Sequence, residues 1–377
     1  MKIAIFGARG IPAKWGGFDT FVTNLAPRLV EKGHEITVFC QPKYSDQTKP
    51  QTYKGVKLIY LPTIYGKTTE TVIHELLSSL YSLFFLRRFD IYYILGCRST
   101  LVYLPHWLLR RTLVINTDGL DWIRRKWGYL ARRFLKLNYW IARKIGYHLV
   151  SDSKELKKYY IENYDKETAF LTNGGEIISE KKPEVLKQYG LEPDEYMLVA
   201  CRIEPENNTD IVIREFEKTT ISKKLIIAGG TNYKSPHLED LQKSKDERII
   251  FLGPVYEDGH IEQLHLHSFA YVHGHEVGGT NPSLLKAMAC GNIIIAHDVR
   301  FNREVLDNNG ILWGKGEGDL KSKYEDVFTN HSKYKKQLPK KCIERIKKYY
   351  SWDKVGEDHD LFFRWVNKEV DSFNDSF

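Results

Sequence analysis

The stretch of this chain richest in possible chemistry is His275-Glu276-Val277-Gly278-Gly279-Thr280-Asn281-Pro282. Asn281 has the side chain of a helix N-cap, and Pro282 suits the first helical position. Gly278, Gly279 and Thr280 would line the loop before that helix, where free amides and the helix dipole attract a phosphate. A second stretch, Cys201 to Asn208, offers Arg202, whose planar guanidinium can fork onto a diphosphate. Near the amino terminus Gly7, Gly10, Gly16 and Gly17 punctuate a loop that opens a helix near Phe18. Their spacing is not that of the dinucleotide fingerprint, which argues against an NAD-dependent oxidoreductase. Asn116-Thr117-Asp118-Gly119-Leu120-Asp121-Trp122 ends another apolar run and gives Asp118, Asp121 and Trp122 as candidates beyond the end of a strand, with Asp19 beside the first loop. Each of these stretches taken alone also reads as an ordinary capped turn, and Asp118-Gly119 would serve an Asx turn.

The elements that must position these residues are short, apolar, β-branched runs separated by amphipathic stretches. In the first half they are residues 2–6, 35–40, 56–61, 90–95, 112–116, 148–151 and 169–172. After a polar, proline-containing stretch at 176–195 the pattern restarts, with runs at 196–200, 224–229, 248–253, 270–274, 292–297 and 310–314. Continuous apolar strands alternating with helices indicate parallel sheets covered on both faces. The expectation is an α/β protein with two Rossmann-like, doubly wound domains, at 1–180 and 190–350. Residues 351–377 form a helix that crosses back to the first domain. Ligands of such sheets bind beyond the strand carboxyl ends, so two facing sheets would share one cleft.

Composition narrows the class. The chain has 377 residues, 42% hydrophobic and 28% charged, with no low-complexity tract, as expected of a globular protein of two domains. Five separated cysteines without a paired motif suggest a reducing, cytoplasmic setting and no structural zinc. His265, His267, His273 and His275 do not share one face of a helix or strand, so no metal is expected there. The longest apolar run, 76–86, is about half the length a membrane helix needs. The net charge is +8, and no acidic residue lies between Asp121 and Asp152. That segment carries Arg124, Arg125, Lys126, Arg132, Arg133, Lys136, Arg143 and Lys144 among Trp and Tyr. Such a helix suits an anionic membrane surface, or is a solvated face over a buried aromatic stripe. No nucleic-acid-reading motif accompanies the charge.

The ordered set resembles the family-four retaining glycosyltransferases of the GT-B fold. Gly16-Gly17, Arg202 to Asn208 and Gly278 to Gly291 are the counterparts of that family's three segments. The loops around Gly16, Asp118, Arg202 and Thr280 most resemble capsule and O-antigen rhamnosyltransferases, which are thought to move L-rhamnose from dTDP-rhamnose to a lipid-linked sugar. The resemblance implies metal-independent transfer with retention, needing no cofactor beyond the sugar nucleotide. It also implies a lipid-linked or oligosaccharide acceptor and an enzyme peripheral to the inner face of the cell membrane. On it, Asp118 and Arg202 are the catalytic candidates, and Asp19, Asp121 and Trp122 the acceptor-side ones. Gly16, Gly17, Arg202, Asn207, Glu276, Gly278, Gly279, Thr280, Asn281 and Lys286 are the donor-binding ones. Two positions depart: the family's phosphate-binding Lys falls on Asn207, and its two Glu fall on Gly278 and Lys286. Lys286, one turn into the helix from Pro282, is expected to replace the missing phosphate Lys. Other readings are a UDP- or GDP-sugar donor, or a GT-B binding protein without catalysis.

Overall fold

The computed structural model describes residues 1–13, 16–44, 48–66, 69–124, 127–231, 234–255 and 257–373. Arg125 and Lys126 of the basic segment lie outside them. The chain divides into two units, 1–173 with 352–377, and 174–351.

The first unit holds eight strands: β1 (Lys2–Phe6), β2 (Glu35–Cys40), β3 (Thr52–Tyr53), β4 (Val56–Tyr60), β5 (Ile91–Leu95), β6 (Leu113–Asn116), β7 (His148–Ser151) and β8 (Ala169–Phe170). Their order is β3-β4-β2-β1-β5-β6-β7-β8. All pairings are parallel except β3 with β4. Helix Gly17–Glu31 covers one face through Phe21, Val22, Leu25 and Leu29, all buried. On the other face Phe6 stacks on Phe39 at 4.7 Å and meets Tyr103 edge-on.

The last helix, Trp352–Val366, belongs to this unit. Phe362 and Phe363 enter the core with Leu25 and Tyr93. Asp353 pairs with Arg28 at 2.9 Å, and Asp360 with buried His34 at 2.6 Å. A side chain at Gly356 would press on Arg28 Cβ at 3.2 Å, so the small residue lets the two helices approach.

The second unit has six parallel strands: β9 (Tyr196–Ala200), β10 (Lys224–Ala228), β11 (Ile249–Gly253), β12 (Ala270–His273), β13 (Ile294–His297) and β14 (Ile311–Trp313). Their order is β11-β10-β9-β12-β13-β14. Apolar cores lie on both faces of this sheet, which is why its strands read as unbroken apolar runs.

Residues 176–195 are not a free linker, and the unit boundary falls at 173–174. Leu186 and Leu191 are buried in the second core. Lys182 N–H donates to Gln263 Oε1 at 2.7 Å, and Gln263 Nε2 donates to the Glu180 carbonyl at 2.9 Å. The polar composition of the stretch conceals these two apolar anchors.

Candidate functional site

In each sheet the strand order reverses direction at one place, the kind of place beyond which open parallel sheets bind their ligands. In the second unit the reversal lies between β9 and β12, which pair directly. The two loops leaving them are Cys201–Asn208 and Gly274–Asn281, the two stretches that sequence singled out.

Those loops are fastened together. Asn208 Nδ2 donates to the Gly274 carbonyl at 2.8 Å, and Glu276 N–H donates to the Glu206 carbonyl at 3.1 Å. A Cβ on Gly274 would lie 2.2 Å from the Asn207 carbonyl oxygen, so only glycine permits this approach. Within the first loop Asn207 Nδ2 donates to the Arg202 carbonyl at 2.6 Å. Asn207 is buried, and its Oδ1 has no partner among the described residues. Arg202 is exposed.

In the second loop Gly278 holds a φ of +144°, while Gly279 and Thr280 are buried. Asn281 caps helix Pro282–Ala289, its Oδ1 accepting from Ser283 N–H at 2.9 Å. Glu276 pairs with Lys315 at 2.6 Å. His273 is buried at the end of β12 against the Tyr271 hydroxyl, 3.1 Å away. Burial holds its pKa down to about 3, helped by His297 and His265, so its ring is neutral. Among the described residues no three His, Cys, Asp or Glu side chains converge to hold a metal.

Lys286 does not fill the place expected of it. Its ammonium pairs with Glu262 of helix His260–Leu266. Burial raises the Glu262 pKa, but Lys286 outweighs that and leaves it lowered. The cation standing at a Glu position is thus matched by an acid twenty-four residues earlier on a neighbouring helix, a pairing no local pattern reveals.

In the first unit the reversal lies between β1 and β5. Gly16 caps helix Gly17–Glu31 in an extended conformation, and Gly17 is exposed. Asp19 is buried, and its Oδ1 accepts from Arg9 N–H at 2.7 Å. Burial raises its pKa to about 6, against the lowering pull of the Arg9 amide and charge. Asp19 therefore holds the glycine loop closed on its helix and is not open to an acceptor.

The loop after β6 is tied to the loop after β5, on one side of this reversal, through Arg98. Asn116 Oδ1 accepts from Asp118 N–H at 2.9 Å, so Asn116 makes the Asx turn and Asp118 sits at φ +49°. Asp118 stays partly exposed; burial, and after it the Asp121 charge, raises its pKa. Asp121 is wholly buried between Arg98, at 2.6 Å, and Arg124, at 2.8 Å. It is a clamp for two loops and touches no solvent. Trp122 packs edge-on against Tyr139 at 4.5 Å, and the Tyr139 hydroxyl donates to the Gly119 carbonyl at 2.5 Å. Arg98 is the residue that sequence reading missed. It follows β5 in Gly96-Cys97-Arg98-Ser99 and lies 4.0 Å from Asp118 as well. The glycine directly after a strand at the reversal point was its available signal.

Comparison with known proteins divides along the same line. Residues 1–176 match the family model "Domain of unknown function (DUF1972)", and residues 181–349 match "Glycosyl transferases group 1". Residues 181–349 are thus similar to a glycosyltransferase group 1 domain. The loops around Arg202 and Thr280 both lie inside that domain. Three solved structures share the whole architecture, which is the GT-B fold. Sucrose-phosphate synthase from Thermosynechococcus elongatus has a TM-score of 0.77 at 14% identity, covering 98% of this chain and 100% of that one. Anabaena Alr3699/HepE in complex with UDP-glucose gives 0.76 at 14%, with the same coverage. The catalytic domain of starch synthase IV from Arabidopsis thaliana, bound to ADP and acarbose, gives 0.71 at 13%, covering 97% and 99%. A curated relative, an uncharacterized 42.6 kDa protein in the cps region of Klebsiella pneumoniae, is 36% identical over 93 residues. The match spans 24% of this chain and 25% of that relative.

Proposed function

We propose that the protein transfers a sugar, with retention, from a nucleoside-diphosphate sugar to a hydroxyl of a lipid-linked or oligosaccharide acceptor in the synthesis of a surface polysaccharide. The observation that carries this reading is the fastening of the Arg202 loop to the Gly278–Asn281 loop at the reversal of the second sheet. In this reading the Arg202 guanidinium, the glycine amides and the N-terminus of helix Pro282–Ala289 serve one diphosphate. Those groups would stabilise the charge that develops on the departing diphosphate. In this reading the buried Asn207 Oδ1 accepts from a hydroxyl of the donor. In the first unit Asp118 is the carboxyl open to the acceptor, with Arg98, Asp121 and Asp19 positioning its loops.

Within this reading the donor is dTDP-linked L-rhamnose, on the motif resemblance, and a capsule role accords with the cps-region relative. A UDP-sugar is the second reading, favoured by the HepE complex with UDP-glucose. A thermal-shift series with dTDP-, UDP- and GDP-sugars tests both, because a ligand bound to the native state raises its melting temperature. Arg202→Ala should weaken diphosphate binding by about 1.5–3 kcal/mol and leave a plain nucleoside nearly unaffected. Equal losses for both ligands, by calorimetry, would remove Arg202 from the site.

A further inference from the structure

β5, β6 and β7 lie side by side, so the segments that enter them emerge together at the amino-terminal edge of the first sheet. This is the edge opposite the loops of the acceptor site. Each segment brings exposed apolar side chains next to cations. Phe84 and Phe85, 74% and 73% exposed, precede Arg87 and Arg88 on the way into β5. Leu108 and Leu109, 71% and 56% exposed, precede exposed Arg110 on the way into β6. Trp140 and Tyr147 flank exposed Lys144 before β7.

The outer face of helix Tyr129–Ile145 continues the surface, with Leu130, Phe134 and Leu137 exposed between Arg133 and Lys136. Arg124 and Arg143, prominent in the sequence, are spent inside the unit: one on Asp121, the other 3.7 Å over the Tyr164 ring. A hollow of about 400 Å³ opens beside them, lined by Trp140, Arg143, Lys144, Tyr164, Asp165 and Lys166, three cations to one carboxylate.

A single exposed leucine needs no explanation, but large apolar side chains gathered on one edge mark a docking surface. Charge decides what docks. The three entering segments hold one carboxylate, Asp90, which accepts from Lys2 N–H at 2.7 Å. Glu75 of the neighbouring helix is buried with Tyr103. A second copy related by a twofold axis would set these arginines against their own images. An anionic bilayer instead takes the aromatic and leucine side chains at its interface and the guanidinium groups among its headgroups.

We propose that this edge and the outer face of helix Tyr129–Ile145 seat the protein on an anionic lipid surface. The seat lies away from the acceptor-site loops and is tested apart from the transferase reading, since vesicle binding requires no sugar donor.

The test is co-sedimentation of the full chain with vesicles of phosphatidylcholine, with and without about 30% phosphatidylglycerol. The parent should bind the anionic vesicles far better and release them at high salt. Phe84→Ser with Phe85→Ser, and separately Arg87→Ser with Arg88→Ser and Arg110→Ser, should each lower partitioning roughly tenfold or more. All these side chains are exposed, so melting temperatures should hold. Lys341→Ser with Lys347→Ser and Lys348→Ser, the same loss of three exposed charges on the second unit, should bind as the parent does. Parent-like binding by both edge variants overturns the proposal. So does a dimer in sedimentation equilibrium that the Phe84/Phe85 variant dissolves, because the edge would then belong to a second copy. Failure of donor binding with vesicle binding intact would sink the transferase reading alone.

Discussion

Asp118 and Asp121 are three residues apart and do opposite work. Asp118 faces outward; Asp121 is sealed between two guanidinium groups. A buried carboxylate is tolerable only while its partners remain. Arg98→Ala should therefore destabilise the first unit by about 2–4 kcal/mol in denaturant unfolding. Asp118→Asn should cost little stability, because that side chain is partly in solvent. Similar losses in the two variants would show that the distinction is wrong. Sequence offered both aspartates as acceptor candidates and had no means to separate them, because burial is decided by Arg98, twenty-three positions away. The same holds for Lys286, whose place on the helix was legible but whose partner, Glu262, was not. Asn281 and Pro282 were legible outright, since capping acts between near neighbours.

At the scale of elements, thirteen of the fourteen strands stand out in the sequence as apolar runs, because strands buried on both faces leave no room for polar alternation. The exception, β3, is the antiparallel pair Thr52–Tyr53, held to β4 as a hairpin whose two residues make no pattern. The strand order was not legible. It depends on which helices cover which face, and the reversal points follow from that order. The join between the Arg202 and Thr280 loops depends on Gly274, where a side chain would collide with main chain rather than with a mobile tip. Gly274→Ala should cost about 1–3 kcal/mol and also abolish the thermal shift given by the donor. Gly190→Ala provides the control: with φ +64° and open space around its Cβ, it should lose about 1 kcal/mol and keep the shift. Retention of the donor response in the Gly274 variant would mean that the two loops act independently.

The whole molecule is exposed to acid through its histidines. Burial lowers the pKa of His74, His106, His265 and His359 to about 4, and that of His273 to about 3. The unfolded chain takes up these protons below about pH 6.5 and the folded chain does not, so stability must fall as pH drops from 6.5 toward 4. Asp19 and Glu75 act the other way, since burial raises their pKa to about 6 and about 8. Asp118 and Asp358 are raised too, but His34, His148, His267, His297 and His331 are lowered as well, so ten histidines in both units outweigh four carboxyls among the described residues. Melting temperatures measured from pH 7 to pH 4 should decline, and a flat or rising profile would contradict the buried-histidine account. The return of helix Trp352–Val366 to the first unit has a consequence for how the chain is made. The second unit is an insertion whose ends are paired, Gly175 N–H donating to the Tyr350 carbonyl at 2.7 Å. During synthesis from the amino terminus, every residue of that insertion has emerged before Phe362 and Phe363 exist to fill the first core. The first unit opens before the second and is completed after it, waiting with an open seam along Phe21 and Leu25 until residues 352–366 have emerged.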